Sequence, residues 1–450
     1  MSEPIFALAT PMAPAALAVV RTAGDGCIDA IAALTDRAAT LRGSPGGRLR
    51  RATLLDPVTG AAVDDVMLGI YRAPASYTGE DAVEIFCHGS LPGIQRILDL
   101  LRSAGFRDAD PGEFTERAFV AGKLDLTRAE AVNEVVNAHT RAAQQLALSR
   151  LSGSVAQEID AAKSDLTTLM AHFTVQLDYP EDEIGPLPLP IERIETVRSR
   201  LASLAATYRT GALFRDGVRI ALAGRTNAGK SSLFNALLRE DRAIVSAIPG
   251  TTRDVLEARL DLDGIPVRVF DTAGVRETDE SIESEGIRRA GNVRESADVV
   301  LYLVDGAAGV DAIDRNTLGQ LDGKAIGVWT KVDLERADPA PADFVAISTT
   351  ADPGIRALVA AIKRRIAATG VAVDAAEHGA VIVDSARQRD LLLRAVDSLQ
   401  RLIAGIAAQV TVDALSLDLQ DALSALGEIT GEVTSADILN QVFSNFCVGK

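Results

Sequence analysis

Apolar and polar positions follow different periods in different parts of this chain. Residues 5–20 and 52–88 read as strands and turns. The runs 66–71 (Val-Met-Leu-Gly-Ile-Tyr) and 82–87 (Ala-Val-Glu-Ile-Phe-Cys) are rich in β-forming residues and bounded by Gly, Pro and Asp. Helical spacing over about 27–40 and 93–104 falls between them, so 1–121 is expected to be a small α+β domain. From Leu124 apolar residues recur every three or four positions among Ala, Gln and Glu, which predicts long helices over 124–178. The segment Asp178-Tyr179-Pro180-Glu181-Asp182-Glu183, followed by Pro186, Pro188 and Pro190, predicts an acidic loop, and helical spacing resumes from 191 to about 211. A strand pattern at 218–223 opens a β/α alternation that runs to about 370, and 383–446 is helical again. The economical organisation is an α/β domain, 215–375, inserted into a helical domain made of 122–214 and 376–450. Such an insertion needs only neighbouring exit and entry points.

A length of 450 residues suits about three domains, and 47% hydrophobic with 24% charged residues is ordinary for a globular protein. Lys plus Arg is 46 and Asp plus Glu 62, a net charge of −16, which argues against broad non-specific nucleic-acid binding. The one basic stretch is Arg37, Arg42, Arg48, Arg50 and Arg51, with no acidic residue between its ends. It reads equally as a phosphate-contacting loop and as a solvated Gly/Pro loop. Cys27, Cys87 and Cys447 lie too far apart in sequence to suggest a disulfide framework, which suits a reducing cytoplasm. No apolar run reaches the ~18 residues of a membrane span, and the apolar N-terminal stretch carries Pro4, Pro11 and Pro14 with no basic region before it. A cytoplasmic protein without a membrane segment is expected. Lysine occurs only seven times against 39 arginines, so each retained lysine is a pointer to a needed ammonium.

The strongest chemical signal is Gly224-Arg-Thr-Asn227-Ala228-Gly229-Lys230-Ser231, a phosphate-binding loop between an apolar strand and a helical run opened by Ser232. Backbone N–H groups of such a loop curl around phosphate oxygens, Lys230 offsets phosphate charge, and Ser231 is placed to bind Mg²⁺. Downstream parts follow in the order a GTPase needs. Gly250-Thr251-Thr252-Arg253-Asp254 stands where a switch loop supplies a Mg²⁺ threonine, assigned to Thr252. Asp271-Thr272-Ala273-Gly274 ends a strand; Asp271 is placed to hold the Mg²⁺ water shell and the Gly274 N–H to reach the γ-phosphate. Thr330-Lys331-Val332-Asp333 follows another strand, where Asp333 can accept two hydrogen bonds from guanine and the Lys331 stem can pack on the base. Ile347-Ser348-Thr349 can close over the base. Thr330 stands where GTPases usually have Asn and Thr349 where they have Ala; losing the Asn removes an interaction worth ~1 kcal/mol. Val275 follows Gly274, where many GTPases place a water-orienting Gln, so hydrolysis needs another group. Arg276, Glu277, Asp279, Glu280, Glu283 and Glu285 are candidates.

With these motifs the chain resembles the tRNA modification GTPase MnmE (TrmE) family over essentially its whole length. Three stretches outside the GTPase motifs carry the resemblance: Tyr77-Thr78-Gly79-Glu80-Asp81 with Cys87-His88-Gly89; Pro111-Gly112-Glu113-Phe114-Thr115-Glu116-Arg117 leading to Lys123-Leu124-Asp125-Leu126; and the terminal Phe446-Cys447-Val448-Gly449-Lys450. The resemblance implies a multi-domain α/β fold, with an N-terminal α+β domain for folate binding and dimerisation, a discontinuous helical domain and an inserted Ras-like P-loop GTPase domain. It implies a homodimer that binds a methylene- or formyl-tetrahydrofolate one-carbon donor. A flavoprotein partner, MnmG (GidA), joins it in a heterotetramer and brings FAD and NADH. Together they place an aminomethyl or carboxymethylaminomethyl group at C5 of the wobble uridine of certain tRNAs. By family pattern Arg21, Glu80, Lys123 and Lys450 line up with folate contacts. Asn227 lines up with a K⁺ ligand, joined by carbonyls near Ser246, Ile248 and Thr251, so that Ser246, Ala247, Ile248, Pro249, Gly250, Thr251 and Thr252 wrap the nucleotide. Glu283 lines up with the water-activating carboxylate. Cys447 reads either as a thiol in the folate and uridine chemistry or as a small residue in a packed tail.

The composition alone does not suggest tRNA; the resemblance does. A second reading is a ribosome-assembly or RNA-binding GTPase switch, but no Gly-X-X-Gly RNA clamp follows the GTPase motifs. A third is an interaction hub built on the acidic helical part.

Overall fold

The computed structural model describes residues 2–178, 190–240, 256–271, 296–321, 323–334, 338–350, 354–372 and 379–450. Its contacts divide into two units: Met1–Asn133 with Ala156–Ala161 and Leu423–Lys450, and Glu134–Val155 with Ala162–Ala422.

The first unit holds strands β1 (Ile5–Leu8), β2 (Ala15–Ala23), β3 (Arg48–Leu55), β4 (Ala62–Tyr71), β5 (Ala82–Gly89) and β6 (Arg107–Asp108). They form one sheet in the order β3-β4-β5-β2-β1-β6, antiparallel except for the β1–β6 pair. Period-two alternation sends Ala18 and Val20 of β2, Val66 and Leu68 of β4, and Val83 and Ile85 of β5 into one core. That face is covered by α1 (Cys27–Ala33), α2 (Ala38–Arg42) and α3 (Leu91–Ser103), through Ile28, Ile31, Leu41, Ile94 and Ile97. The opposite face carries the alternate residues of each strand, among them Arg21 and Glu84, which are directly opposite in the β2–β5 register. The basic stretch runs from α2 through a short Gly/Pro loop, 43–47, into β3. Arg37, Arg42 and Arg51 pair with Asp36, Asp29 and Asp65, which counts against a phosphate-contacting role. After β6 come α4 (Glu113–Val120) and α5 (Leu126–Asn137). Leu126 and Ala129 pack on Phe443 and Phe446 from the C-terminal end of the chain.

The helical stretch expected over 124–178 is three helices, because Thr140 caps α6 (Arg141–Leu151) and Gly153, at φ +99°, breaks the chain before α7 (Ser154–Asp178). In the second unit α8 (Ile191–Ala206) and α9 (Tyr208–Asp216) lead into β7 (Val218–Gly224) and α10 (Lys230–Glu240). There follow β8 (Leu256–Leu262), β9 (Ile265–Asp271), β10 (Val299–Asp305), α11 (Ala312–Gln320), β11 (Ala325–Thr330), β12 (Phe344–Ala346) and α12 (Gly354–Ala367). The sheet order is β12-β11-β10-β7-β9-β8, parallel except for β8 against β9. Near-continuous apolar strands are buried on both faces, as parallel sheets require: Leu222, Val269 and Leu303 face Leu233, Leu237 and Leu358, while Ala221, Tyr302 and Trp329 fill the other side. The final helical stretch is α13 (Ala386–Ala407), α14 (Val412–Thr430) and α15 (Ala436–Phe443).

The residues entering and leaving this sheet touch. Val383 donates its N–H to Thr207 Oγ1 at 3.0 Å. A Cβ on Gly211 would lie 2.2 Å from the Val383 carbonyl oxygen, so no larger residue fits there. Beside them Arg150 reaches Glu134 (Nε to Oε2, 2.7 Å) and Asp384 (Nη2 to Oδ2, 3.1 Å).

Candidate functional site

Two sites emerge, one in each unit. The first lies at the C-terminal ends of β7, β10 and β11, where parallel α/β sheets bind ligands. β7 ends at Gly224, whose φ of +134° and whose approach to β10 admit no side chain: a Cβ would be 2.3 Å from the Leu303 carbonyl oxygen. The loop then turns through Asn227 at φ +62° and Gly229 at φ +95° into α10. Lys230 folds back over it, donating to the carbonyls of Gly224 at 2.8 Å and Arg225 at 2.7 Å. Its ammonium is thus held at the start of the loop, whose later residues Ala228, Ser231 and Ser232 lead into α10. A glycine-requiring turn, an ammonium at its start and a helix N-terminus behind it suit a bound phosphate chain.

Thr330 preserves a tie that the sequence left in doubt. It is buried, and its hydroxyl lies 2.8 Å from the Ala228 carbonyl and 3.1 Å from that of Val304. It therefore links the phosphate loop to β10 and β11. Asp333 accepts from the Thr350 hydroxyl at 3.0 Å. The Ser348 hydroxyl first, then the backbone and Thr350, hold its carboxyl below the usual range, so it is ionised. Sequence reasoning singled out Thr349 here and missed Thr350. Lys331, at φ +60°, places its ammonium 2.6 Å from Asp305 Oδ2. Asp305 had no motif to mark it. Asp271 ends β9 in register with Leu222 of β7. Ser246, Ala247, Ile248, Pro249, Gly250, Thr251, Thr252, Thr272, Ala273, Gly274 and Glu283 lie outside the described residues.

The second site is a cavity of about 180 Å³ on the outer sheet face of the first unit, lined by Arg21, Tyr71, Tyr77, Thr78, Glu84 and Phe114 among others. Arg21 donates from Nε and Nη2 to Glu84 Oε1 at 3.1 and 3.0 Å, and from Nη1 to the Gly449 carbonyl at 3.1 Å. Its guanidinium lies 5.7 Å from the Tyr77 ring centre and 5.8 Å from that of Phe114. Tyr71 donates to Glu84 Oε2 at 3.4 Å. The chain's end packs into this neighbourhood: the Phe114 N–H donates to the Lys450 carbonyl at 3.1 Å. Burial lowers the Lys450 ammonium's pKa, Cys447 opposes that and Arg21 adds to it. A carboxylate, a guanidinium and aromatic rings thus converge on one small cavity.

Of the residues the family pattern assigns to folate, Arg21 lines this cavity, and the Lys450 carbonyl packs beside it on the Phe114 N–H. Glu80 does not line it: its Oε2 lies 3.2 Å from Arg117 Nη1, in a network that joins Arg117 to Glu113 and Glu113 to Arg107. Glu84 is the carboxylate on the cavity wall, a residue that no motif marks. Lys123 runs beside Gly79, its Cγ 3.8 Å from where a Cβ there would be. Cys447 is exposed, whereas Cys27 and Cys87 are buried. Burial, then nearby Asp81, pushes the Cys27 thiol up to about 12 and, with Asp64, the Cys87 thiol up to about 11. Among the described residues no group of three His, Cys, Asp or Glu could hold a metal ion, and no helix is long and apolar enough to cross a membrane.

The chain was compared with known proteins. A family model described as the MnmE helical domain matches residues 126–447, and one described as the GTP-binding protein TrmE N-terminus matches residues 4–123. A protein of Treponema denticola named tRNA modification GTPase MnmE is 42% identical, covering 100% of this chain and 98% of its own. Proteins of the same name from Carboxydothermus hydrogenoformans and Geobacter sulfurreducens are 36% and 38% identical, each covering 100% of both chains. Among solved structures, Aquifex aeolicus Era bound to GDP·AlF4⁻ is 25% identical over 32% of this chain and 56% of its own, at a TM-score of 0.27.

Proposed function

The chain belongs to the tRNA modification GTPase MnmE family, and from that premise we propose that it is a potassium-activated GTPase whose hydrolysis drives a folate-dependent modification at C5 of the tRNA wobble uridine. It is a GTP hydrolase acting in tRNA modification. The finer reading adds a cytoplasmic homodimer, a flavoprotein partner of the MnmG kind that carries FAD and uses NADH, and aminomethyl or carboxymethylaminomethyl as the group added. We divide the chain into 1–121 for folate, 122–214 with 376–450 for the helical part, and 215–375 for GTP.

The observation that carries the reading is the shared edge of β7, β10 and β11. There the Gly224 turn, Lys230 and Asp333 stand on one sheet, tied together by Thr330. Lys230 and the backbone from Asn227 to Ser232 would hold the phosphates, Ser231 and Thr252 the Mg²⁺, and Asp333 the guanine edge. Asn227 would hold K⁺ with Ser246, Ile248 and Thr251. A monovalent cation there supplies the positive charge that an arginine finger supplies elsewhere. Glu283 would take the proton of the attacking water.

The cavity of the first unit supports the folate reading. Arg21 suits glutamate carboxylates, a role the family pattern extends to Lys450; Tyr77 and Phe114 suit a flat pterin, and Glu84 suits its N–H edge. Cys447 would stand at the rim of that chemistry.

Steady-state GTP hydrolysis in K⁺ and in Na⁺ at equal ionic strength tests the reading. Strong K⁺ stimulation is expected. Equal rates would remove the potassium mechanism and favour a GTPase switch that needs a partner to fire.

A further inference from the structure

The base-recognition loop has an anchor that its motif does not name. Lys331 adopts φ +60°, a left-handed conformation unfavourable for a residue with a side chain. Neighbouring bonds hold it there. The Gly306 N–H donates to the Thr330 carbonyl at 3.0 Å, and the Asp338 N–H to the Gly306 carbonyl at 3.0 Å. The Trp329 Nε1 donates to the Asp338 carbonyl at 2.9 Å. Asp305 sits at the centre of this cradle. The β10–β11 register sets it opposite Thr330, next to Lys331 in sequence. Its Oδ1 accepts the Ala307 N–H at 3.0 Å and its Oδ2 accepts the Lys331 ammonium at 2.6 Å. One oxygen is therefore spent fixing the carboxylate and the other fixes the lysine. Burial alone would raise this carboxyl's pKa, but Lys331 and the Ala307 N–H more than offset it, so the carboxylate stays charged. Both side chains are partly shielded, 35% and 23% exposed, so the pair is not a fully solvated one.

We propose that Asp305 is a positioning residue for nucleotide binding: it anchors the Lys331 ammonium so that the four-carbon stem is laid out beforehand as the platform for the guanine ring. A free lysine must give up rotamer freedom when a base lands on it, and an anchored one has already done so. The inference rests on the GTP-binding reading and extends it to a residue on a different strand from the motif.

The test is a double-mutant cycle on the full chain, read as GDP affinity by fluorescent-nucleotide titration and as KM and kcat for GTP. Asp305→Asn keeps the shape and the acceptor for Ala307 but removes the charge. It should weaken GDP binding and raise KM by about tenfold, with kcat at saturation within about twofold of wild type. Lys331→Met should weaken binding, and adding Asp305→Asn to it should cost nothing further. GDP affinity within twofold of wild type for Asp305→Asn overturns the proposal. So do effects that multiply in the double variant, or a loss confined to kcat. If Asp305→Asn fails to fold, by Trp329 emission, Asp305→Ser is carried through the same cycle. Failure of the wild-type chain to bind GDP would instead overturn the nucleotide reading itself.

Discussion

Three charged side chains at the root of the inserted sheet make a sharp test of the structure. Glu134, Arg150 and Asp384 are 13%, 6% and 1% exposed, and two carboxylates share one guanidinium. If both were ionised, the cluster would carry a net negative charge away from water. Burial first, then the charge of Asp384, outweighs the pull of Arg150 and raises the Glu134 carboxyl to about 8. Glu134, which shares its titration with Asp384, therefore keeps a proton in the folded protein near neutral pH. Unfolding returns it to an ordinary carboxyl near 4.5, which releases that proton. The folded state binds more protons throughout this window, so stability from this group is full below the unfolded value. It falls as pH rises through about 8. At the full slope of ~1.4 kcal/mol per pH unit, flattening near the folded value, the loss between pH 6 and pH 8 is about 2 kcal/mol. Glu134→Gln keeps the shape and cannot ionise, so its stability should lack this component. Trp329, the chain's one tryptophan, is buried in the same unit and reports urea unfolding there. The wild-type midpoint should fall relative to the variant's as pH rises, with the slope of ΔG against urea unchanged. Midpoints that move in parallel would show that Glu134 is already ionised, and the reasoning would fail.

Gly224→Ala should cost more than ~3 kcal/mol, since the backbone strain alone is about 1–3 kcal/mol and β7 must also move away from the Leu303 carbonyl. The Trp329 unfolding midpoint should fall and nucleotide binding be lost; an unchanged midpoint would contradict the contact. In the other unit, Glu84→Gln should weaken tetrahydrofolate binding by about tenfold by breaking a charged pair with Arg21. Glu80→Gln should leave binding within about twofold, because that carboxylate is held by Arg117. A calorimetric titration that ranks them the other way would overturn this expectation and favour Glu80 as the folate contact.

Much of this was legible along the chain because it is local. A phosphate loop is a strand, a turn needing glycine and a helix start within a dozen residues, and Gly224 to Ser231 spell it out directly. The same holds for strand alternation, which put Arg21 and the core residues Ala18 and Val20 on opposite faces of β2 before any partner strand was known. Nothing local could show which of Glu80 and Glu84, four residues apart, meets Arg21. Pairing β2 with β5 sets Arg21 opposite Glu84 across 63 residues of sequence, while Glu80 lies in the turn before the strand and meets Arg117. The cavity also needs the Gly449 carbonyl, brought to Arg21 over 428 residues. Thr330 read as a lost asparagine until its hydroxyl was seen on the Ala228 carbonyl. Asp305 carries no motif of its own, and only the folded chain brings the Lys331 ammonium onto it. Hydrophobic periodicity and turn chemistry depend on neighbours in sequence, so the chain itself dictates its elements and its phosphate loop. Which carboxylate meets which cation depends on strand register and chain return, and only the folded packing decides that.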